Sequence, residues 1–399
     1  MTPSGWEVKK LNELCEINPK KPSKPSDELV SFISMSQVSE DGQIISTETK
    51  TYDEVSKGFT SFKDKDVLVA KITPCFENGK GALAHTLVNG IGFGSTEFHV
   101  LRAKENTDPK FIYYLTRTDA FRAKGTMNMQ GSAGHRRVTT DFIQIYKINT
   151  PPLPEQQKIA KILTTWDKAI SNTERLIENS TQQKKALMQQ LLTGKKRLLD
   201  NEGKRFEGEW EEVKLSEIAQ ITMGSSPKSD AYNEIGDGLP LLQGNADIKN
   251  RKSAPRIYTS QITKECHVDD ILFSVRAPVG TVALSNHNAC IGRGIAAIKA
   301  KKNHSQDYLY QWLLSFELKW ERYSQGSTFE AVNSDDIKSL NLSIPNYKEQ
   351  QKIATVLTNA DKEIELLEQQ LADLQQEKKA LMQVLLTGKK RVVVDGEVA

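Results

Sequence analysis

Residues 155–197 read EQQKIAKILTTWDKAISNTERLIENSTQQKKALMQQLLTGKKR, and residues 349–391 read EQQKIATVLTNADKEIELLEQQLADLQQEKKALMQVLLTGKKR. At a constant offset of 194 and without a gap, 26 of the 43 positions are identical, so the chain carries one unit written twice. Each copy follows prolines (Pro151, Pro152 and Pro154; Pro345), which punctuate a chain ahead of a helix. Each closes at Gly194 or Gly388 inside Leu-Leu-Thr-Gly-Lys-Lys-Arg, where glycine caps a helix and the cations suit its C-terminal dipole. About 40 residues of helix span roughly 60 Å, and a helix that long must pair with something.

The pairing pattern is heptad. In the second copy Ile353, Leu357, Ala360, Ile364, Leu367, Leu371, Leu374, Lys378, Leu381 and Leu385 alternate spacings of four and three, the spacing of a coiled-coil seam. The first copy supplies Ile159, Leu163, Trp166, Ile170, Thr173, Ile177, Ser180, Lys184, Leu187 and Leu191. Parallel, in-register helices would set Lys184 against Lys378 inside the seam, a buried like-charge contact. Antiparallel full overlap instead sets Trp166 opposite Lys378 and Lys184 opposite Ala360, placing one lysine stem over an indole and the other beside a small residue. That arrangement relates the two copies by a pseudo-twofold axis. The competing reading is two separate amphipathic helices, each packed on its own domain.

Working outward, a second similarity runs at an offset of 204. Trp6-Glu7, Lys10-Leu11, Glu13 and Ile17 match Trp210-Glu211, Lys214-Leu215, Glu217 and Ile221, and Asp66, Leu68 and Pro74 match Asp270, Leu272 and Pro278. Ile91-Gly92-Phe93-Gly94 echoes Ile291-Gly292-Arg293-Gly294. The expected fold class is α+β: two globular domains alternating with two long antiparallel coiled-coil helices. The boundaries follow as 1–150 and 210–344 for the globular halves, 151–197 and 345–391 for the helices, 198–209 for a polar Gly-containing linker and 392–399 for a tail. Asp66 to Ala70 and Asp270 to Ser274 read as buried strands, and Pro109 to Lys124 and Ser305 to Tyr323 as helices.

Composition narrows the function. A chain of 399 residues exceeds one ordinary core, and 38% hydrophobic with 26% charged residues excludes wholesale disorder. No run approaches the roughly 20 apolar residues of a membrane span, and Met1 to Leu11 lacks a signal-peptide core, so a cytoplasmic protein is expected. The four cysteines lie far apart, which argues against a disulfide framework. Cys266-His267 with His287 and Cys290 offers zinc-suited residue types, but neighbours on a strand face opposite sides, and no metal site is assigned. Catalytic signatures are missing: Leu-Thr-Gly-Lys-Lys lacks the upstream Gly and following Ser or Thr of a phosphate loop, and Gly90 to Gly94 is not followed by a dinucleotide-site helix.

A net charge of +3 excludes a strongly basic DNA-coating protein but not local basic clusters. Residues 1–150 carry 20 Lys and Arg against 18 Asp and Glu, so any grip on DNA must come from such clusters. One is Gly131-Ser132-Ala133-Gly134-His135-Arg136-Arg137: small residues admit a phosphate to the backbone, and two arginines can fork onto phosphate or guanine. Its positional counterpart is Gly326-Ser327-Thr328-Phe329, where Ser327 and Thr328 are the candidates. Lys71, Lys80, Lys228, Arg276 and Arg293 are further candidates, each near an expected strand end or in a Gly-rich loop; plain surface cations are the competing reading.

These residues together resemble a known family, the specificity subunit of type I restriction-modification enzymes. The resemblance covers essentially the whole chain. Pro-Leu-Pro-Glu-Gln-Gln-Lys-Ile-Ala, Lys-Lys-Ala-Leu-Met-Gln and Leu-Leu-Thr-Gly-Lys-Lys-Arg look like the family's helical regions, and Gly92 to Phe98 and Gly326 to Phe329 are similar to sequences in its recognition domains. Lys389-Lys390-Arg391 taken with Trp6-Glu7 reproduces the passage from Lys195 to Glu211, matching the family's circular arrangement. The resemblance implies a subunit without catalysis or cofactor of its own, in which each recognition domain reads one half of a split DNA site. The halves should differ because the globular domains have diverged. It further implies helices that hold the halves apart and dock two methyltransferase subunits using S-adenosylmethionine, with restriction subunits bringing ATP- and Mg-dependent translocation and cleavage. The alternative from another class is a coiled-coil scaffold that never touches DNA.

Overall fold

Four consecutive apolar residues, Val67–Ala70, are all buried, as expected of a strand covered on both faces. In the computed structural model, which describes residues 2–132, 134–325 and 332–394, this strand lies inside a four-stranded antiparallel sheet. Its order is Cys15–Ile17, Phe98–Ala103, Val67–Ala70, Gly81–Leu83. The two-residue period of the strands sorts the core. Val67, Val69 and Leu101 pack towards helices, whereas Leu68, Val100, Phe98 and Ala82 pack on the opposite side with Ile33 and Phe62 of a second sheet. That second sheet runs Glu48–Thr51, Leu29–Ile33, Ile91–Gly94, Thr60–Lys63, with Leu29–Ile33 and Ile91–Gly94 parallel.

These elements belong to the first of two units, Met1–Thr173 with Gln370–Ala399; the second is Glu174–Gln369. The second unit repeats the plan. Ala219–Met223, Ile295–Ala300, Ile271–Ser274 and Val282–Leu284 stand in the same order, extended by Lys252–Ser253 and Ile248–Lys249. Ile271, Phe273, Ala296 and Ile298 face one core and Leu272, Ile295, Ala297 and Ala283 the other. A five-stranded second sheet again contains one parallel pair, Leu239–Leu242 with Ala289–Ile291.

One local expectation needed correction. The stretch from Pro109 to Lys124 is not one helix but two, Pro109–Thr116 and Asp119–Met127. Thr118 breaks it, because its hydroxyl accepts the Phe121 amide at 3.3 Å and so starts a new helix. Residues 198–209, expected as a linker, are locally ordered. They turn back as a tight hairpin in which Leu199 bridges Arg205 and the Asp200 carboxylate accepts the amides of Glu202 and Lys204, both at 2.9 Å. The other expected helix, Ser305 to Tyr323, forms as one helix, Gln306–Gln325.

The two long helices are Leu153–Leu191 and Tyr347–Leu385. All the seam residues are buried or partly buried, while Lys362, Glu363, Glu365, Leu366 and Glu368 between them are exposed. In the first unit Ile159 and Leu163 of the first helix share a core with Leu385 and Leu386; in the second, Leu191 shares one with Ile353 and Leu357. The seam lysines have other partners than the expected ones. Lys378 pairs with Asp167, not the Trp166 indole, and lies 5.8 Å from the Tyr114 ring; Lys184 pairs with Asp361 rather than resting beside Ala360 alone. A largely desolvated ammonium needs an anion, and the flexible stem reaches the carboxylate one residue further on.

Each helix end carries the same arginine–glutamate fork within its unit. Arg391 forks onto Glu155 at 2.6 and 2.7 Å, Trp6 Nε1 donates to the same carboxylate at 2.9 Å, and the guanidinium lies 5.7 Å from the Trp6 ring. In the second unit Arg197 forks onto Glu349 at 2.6 Å through each nitrogen and lies 6.0 Å from the Trp210 ring. Gly388 and Gly194 have φ of +72° and +70°, and a Cβ on them would meet Trp6 at 3.2 Å and Trp210 at 3.3 Å. The left-handed turn favours glycine at both positions, and at Gly388 a Cβ would also strike Pro3 at 2.3 Å.

Candidate nucleic-acid interface

Three backbone segments of the first unit converge beyond the end of Val67–Ala70. Thr73 N donates to Arg136 O at 2.9 Å, Val138 N donates to Lys71 O at 2.9 Å, and Lys71 N donates to Glu97 O at 2.7 Å. These bonds bring Lys71, Arg136 and Arg137, far apart in sequence, to one place, with His135 exposed beside them. His99 fastens the site from beneath. It is 2% exposed, its Nε2 lies 2.9 Å from Val138 O, and burial pushes its pKa down to about 4, so the neutral ring donates to that carbonyl. Burial also lowers the Lys71 pKa, and its ammonium is spent on Thr96 O at 2.8 Å. Lys80 sits further round the same loop, its ammonium 3.2 Å from Met35 O.

The arginines are not free. Arg137 makes three hydrogen bonds to Glu97, at 3.0, 3.0 and 2.7 Å, and a fourth to His135 O at 3.1 Å; bonding to Glu97 raises its pKa. Arg136 lies 3.6 Å from Glu77 Oε1, which also accepts the Thr73 hydroxyl at 2.6 Å. Glu77 Oε2 is buried with no hydrogen-bond partner. Sequence reading missed both acids: each is remote in sequence from its arginine, and no local pattern marks it. Arg122 was missed as well. Buried in the helix Asp119–Met127, it donates to Phe76 O at 3.0 Å and Gly79 O at 3.2 Å and so holds the loop after Lys71.

In the second unit Val275 N donates to Gly294 O at 3.0 Å, and Arg293 N donates to the Ser226 hydroxyl at 3.2 Å. This brings the loops of Arg276 and Arg293 together near Lys228, whose amide donates to Gln261 at 3.1 Å. All three side chains are exposed, and none has a carboxylate partner among the described residues. Ser327 and Thr328 lie outside the described residues. Of the cysteine and histidine set, Cys266 Sγ meets the Ser285 hydroxyl and the backbone carbonyl of His287, the His287 ring meets Ser253, and Cys290 meets Thr263. Among the described residues no helix is long and apolar enough to cross a membrane.

Residues 3–180 and 207–376 match the family described as type I restriction modification DNA specificity domain. The putative type I restriction enzyme MjaX specificity subunit of Methanocaldococcus jannaschii is 30% identical, over 98% of this chain and 95% of that protein. Among solved structures, the HsdS subunit from Thermoanaerobacter tengcongensis is 26% identical, covers 97% of this chain and 98% of its own, and superposes with a TM-score of 0.52. A chain from work on complex assembly and conformational transition of the type I R-M system is 25% identical, covers 98% and 100% respectively, and has a TM-score of 0.61.

Proposed function

Because the chain belongs to the type I restriction modification DNA specificity family, we propose that its two units each read one half of a split, asymmetric DNA site. It is the DNA-specificity subunit of such a system, and catalysis belongs to other subunits. The observation that carries the split-site reading is one sheet architecture present twice with different cations gathered at the end of the matching strand: Lys71, Arg136 and Arg137 beyond Val67–Ala70, Arg276 and Arg293 beyond Ile271–Ser274. Different side chains in one frame read different bases.

In the same proposal the long helices form one antiparallel coiled coil with a pseudo-twofold relation, acting as spacer and as dock for two methyltransferase subunits. The ion pairs support an antiparallel sense: in the first unit Glu155 takes Arg391 and Asp167 takes Lys378, and in the second Lys184 takes Asp361 and Arg197 takes Glu349. The methyltransferase subunits would use S-adenosylmethionine and the restriction subunits ATP and Mg, in the cytoplasm, while this chain contributes no cofactor.

The test is duplex binding by the full chain assembled with its methyltransferase subunits, titrated with salt and combined with mapping of methylated bases. DNA reading predicts a steep negative slope of log affinity against log salt and a bipartite methylated site. A flat slope would support the coiled-coil scaffold that never touches DNA.

A further inference from the structure

The arginines offered for DNA contact in the first unit are already neutralised by carboxylates, whereas the cations offered in the second have none among the described residues. Glu97 presents both oxygens to Arg137, the two-acceptor geometry that guanine N7 and O6 or a phosphate would present. Glu97 is held from both sides: its own amide donates to the Ser95 hydroxyl at 3.1 Å, and its carbonyl accepts Lys71 N at 2.7 Å. Glu77 is held by Thr73 at 2.6 Å, and its second oxygen is buried without a partner. Both arginines remain half exposed, with side chains 45% and 47% accessible, so a ligand can approach them and compete with the carboxylates for their donors.

We propose that Glu77 and Glu97 are specificity-determining residues of the first unit, internal stand-ins for DNA acceptors that suppress non-specific phosphate binding by Arg136 and Arg137. Random duplex must displace a carboxylate to gain one phosphate contact, which leaves little net advantage. A matching half-site offers base-edge acceptors in addition and wins the exchange. This inference rests on the proposed DNA-reading function and adds the negative element in it.

The experiment uses the full chain assembled with its methyltransferase subunits and three duplexes: the site mapped by methylation, the site with only the first unit's half scrambled, and the site with both halves scrambled. Glu77→Gln with Glu97→Gln keeps shape and removes both charges. The expected result is about tenfold tighter binding to the two scrambled duplexes, two exposed ion pairs no longer competing. The salt slope should steepen by up to roughly 1.8, about 0.9 for each phosphate gained. The mapped site should gain less, so discrimination falls. Adding Arg136→Ala and Arg137→Ala to the glutamine variant should abolish the gain. Wild-type binding with a normal slope, left unchanged by the glutamine variant, overturns the inference and leaves the DNA-reading function standing. A gain that survives loss of the arginines also overturns it, since the effect would then be bulk charge. Failure of the wild-type assembly to bind any duplex overturns the DNA-reading function itself.

Discussion

Asp167→Ala should destabilise the first unit more than any exposed ion pair would. The Asp167 carboxylate is 22% exposed and faces Lys378, 16% exposed, so removing it strands an ammonium largely out of water. Breaking a fully buried pair from one side costs about 3–5 kcal/mol, and the residual access to water reduces that to about 2–3 kcal/mol here. The Tyr114 hydroxyl loses an acceptor as well but keeps Thr164 Oγ1 at 3.1 Å, which limits the total to about 3 kcal/mol. For a unit of about 200 residues that is a drop of roughly 6–12 °C in Tm. Replacing both partners, Asp167→Leu with Lys378→Leu, removes the stranded charge and fills the seam, so it should return to within about 1 kcal/mol of the parent. The same pair of experiments at Asp361 and Lys184 should perturb the second unit, where Asp361 also accepts Gln311 Nε2 at 2.7 Å. Scanning calorimetry, resolving the two units where they melt separately, is the assay. A single variant within about 1 °C of the parent, or a double variant as damaged as the single, would refute the reading of Lys378 as a paired seam charge.

Arg136→Ala with Arg137→Ala should weaken recognition of one half-site far more than the other, read by binding to duplexes scrambled in either half; equal loss on unrelated sequences would reduce these arginines to phosphate contacts. Acid should loosen the first unit through His99. Its folded pKa of about 4 lies below the unfolded value near 6.5, so the neutral ring stabilises fully above pH 6.5. That contribution, up to about 3 kcal/mol, drains as pH falls towards 4. His99→Gln should flatten this limb in urea midpoints taken at pH 7.5 and 5, and parallel pH profiles would rule the histidine out. If the helices set the half-site spacing, one heptad inserted into each, at Thr173/Glu174 and Gln369/Gln370, adds roughly 10 Å, or about three base pairs of spacer, at unchanged half-site sequences. Methylated-site mapping of the doubly extended protein reads this out, and an unchanged spacer in an active complex removes the ruler.

The duplication, the two long helices and the residues of those helices that turn inward were all legible in the order of the amino acids. The duplication is written as identity at one fixed offset, and the helices with their inward stripe in short periods. Spacings of three and four place Ile353, Leu357 and Ile364 on one stripe whatever the rest of the chain does, and Leu-Thr-Gly-Lys-Lys-Arg states its own helix end. The matched Trp6 and Trp210 were readable as a repeat, but their role against Gly388 and Gly194 was not. What each charge meets was settled by long-range packing. Lys378 finds Asp167 because a carboxylate one position along the facing helix competes better than an indole for a desolvated ammonium, and a pattern of apolar positions is silent on that choice. Thr118 splits what reads as one helix because its hydroxyl caps the next turn. Arg136 and Arg137 were visible as a basic pair, while Glu77 and Glu97 were indistinguishable from any other surface acid. Their place beside the arginines comes from strand pairing between Phe98–Ala103 and Val67–Ala70 and from the bridge that sets Ile72 beside Arg137, contacts between segments tens of residues apart that local propensity does not encode.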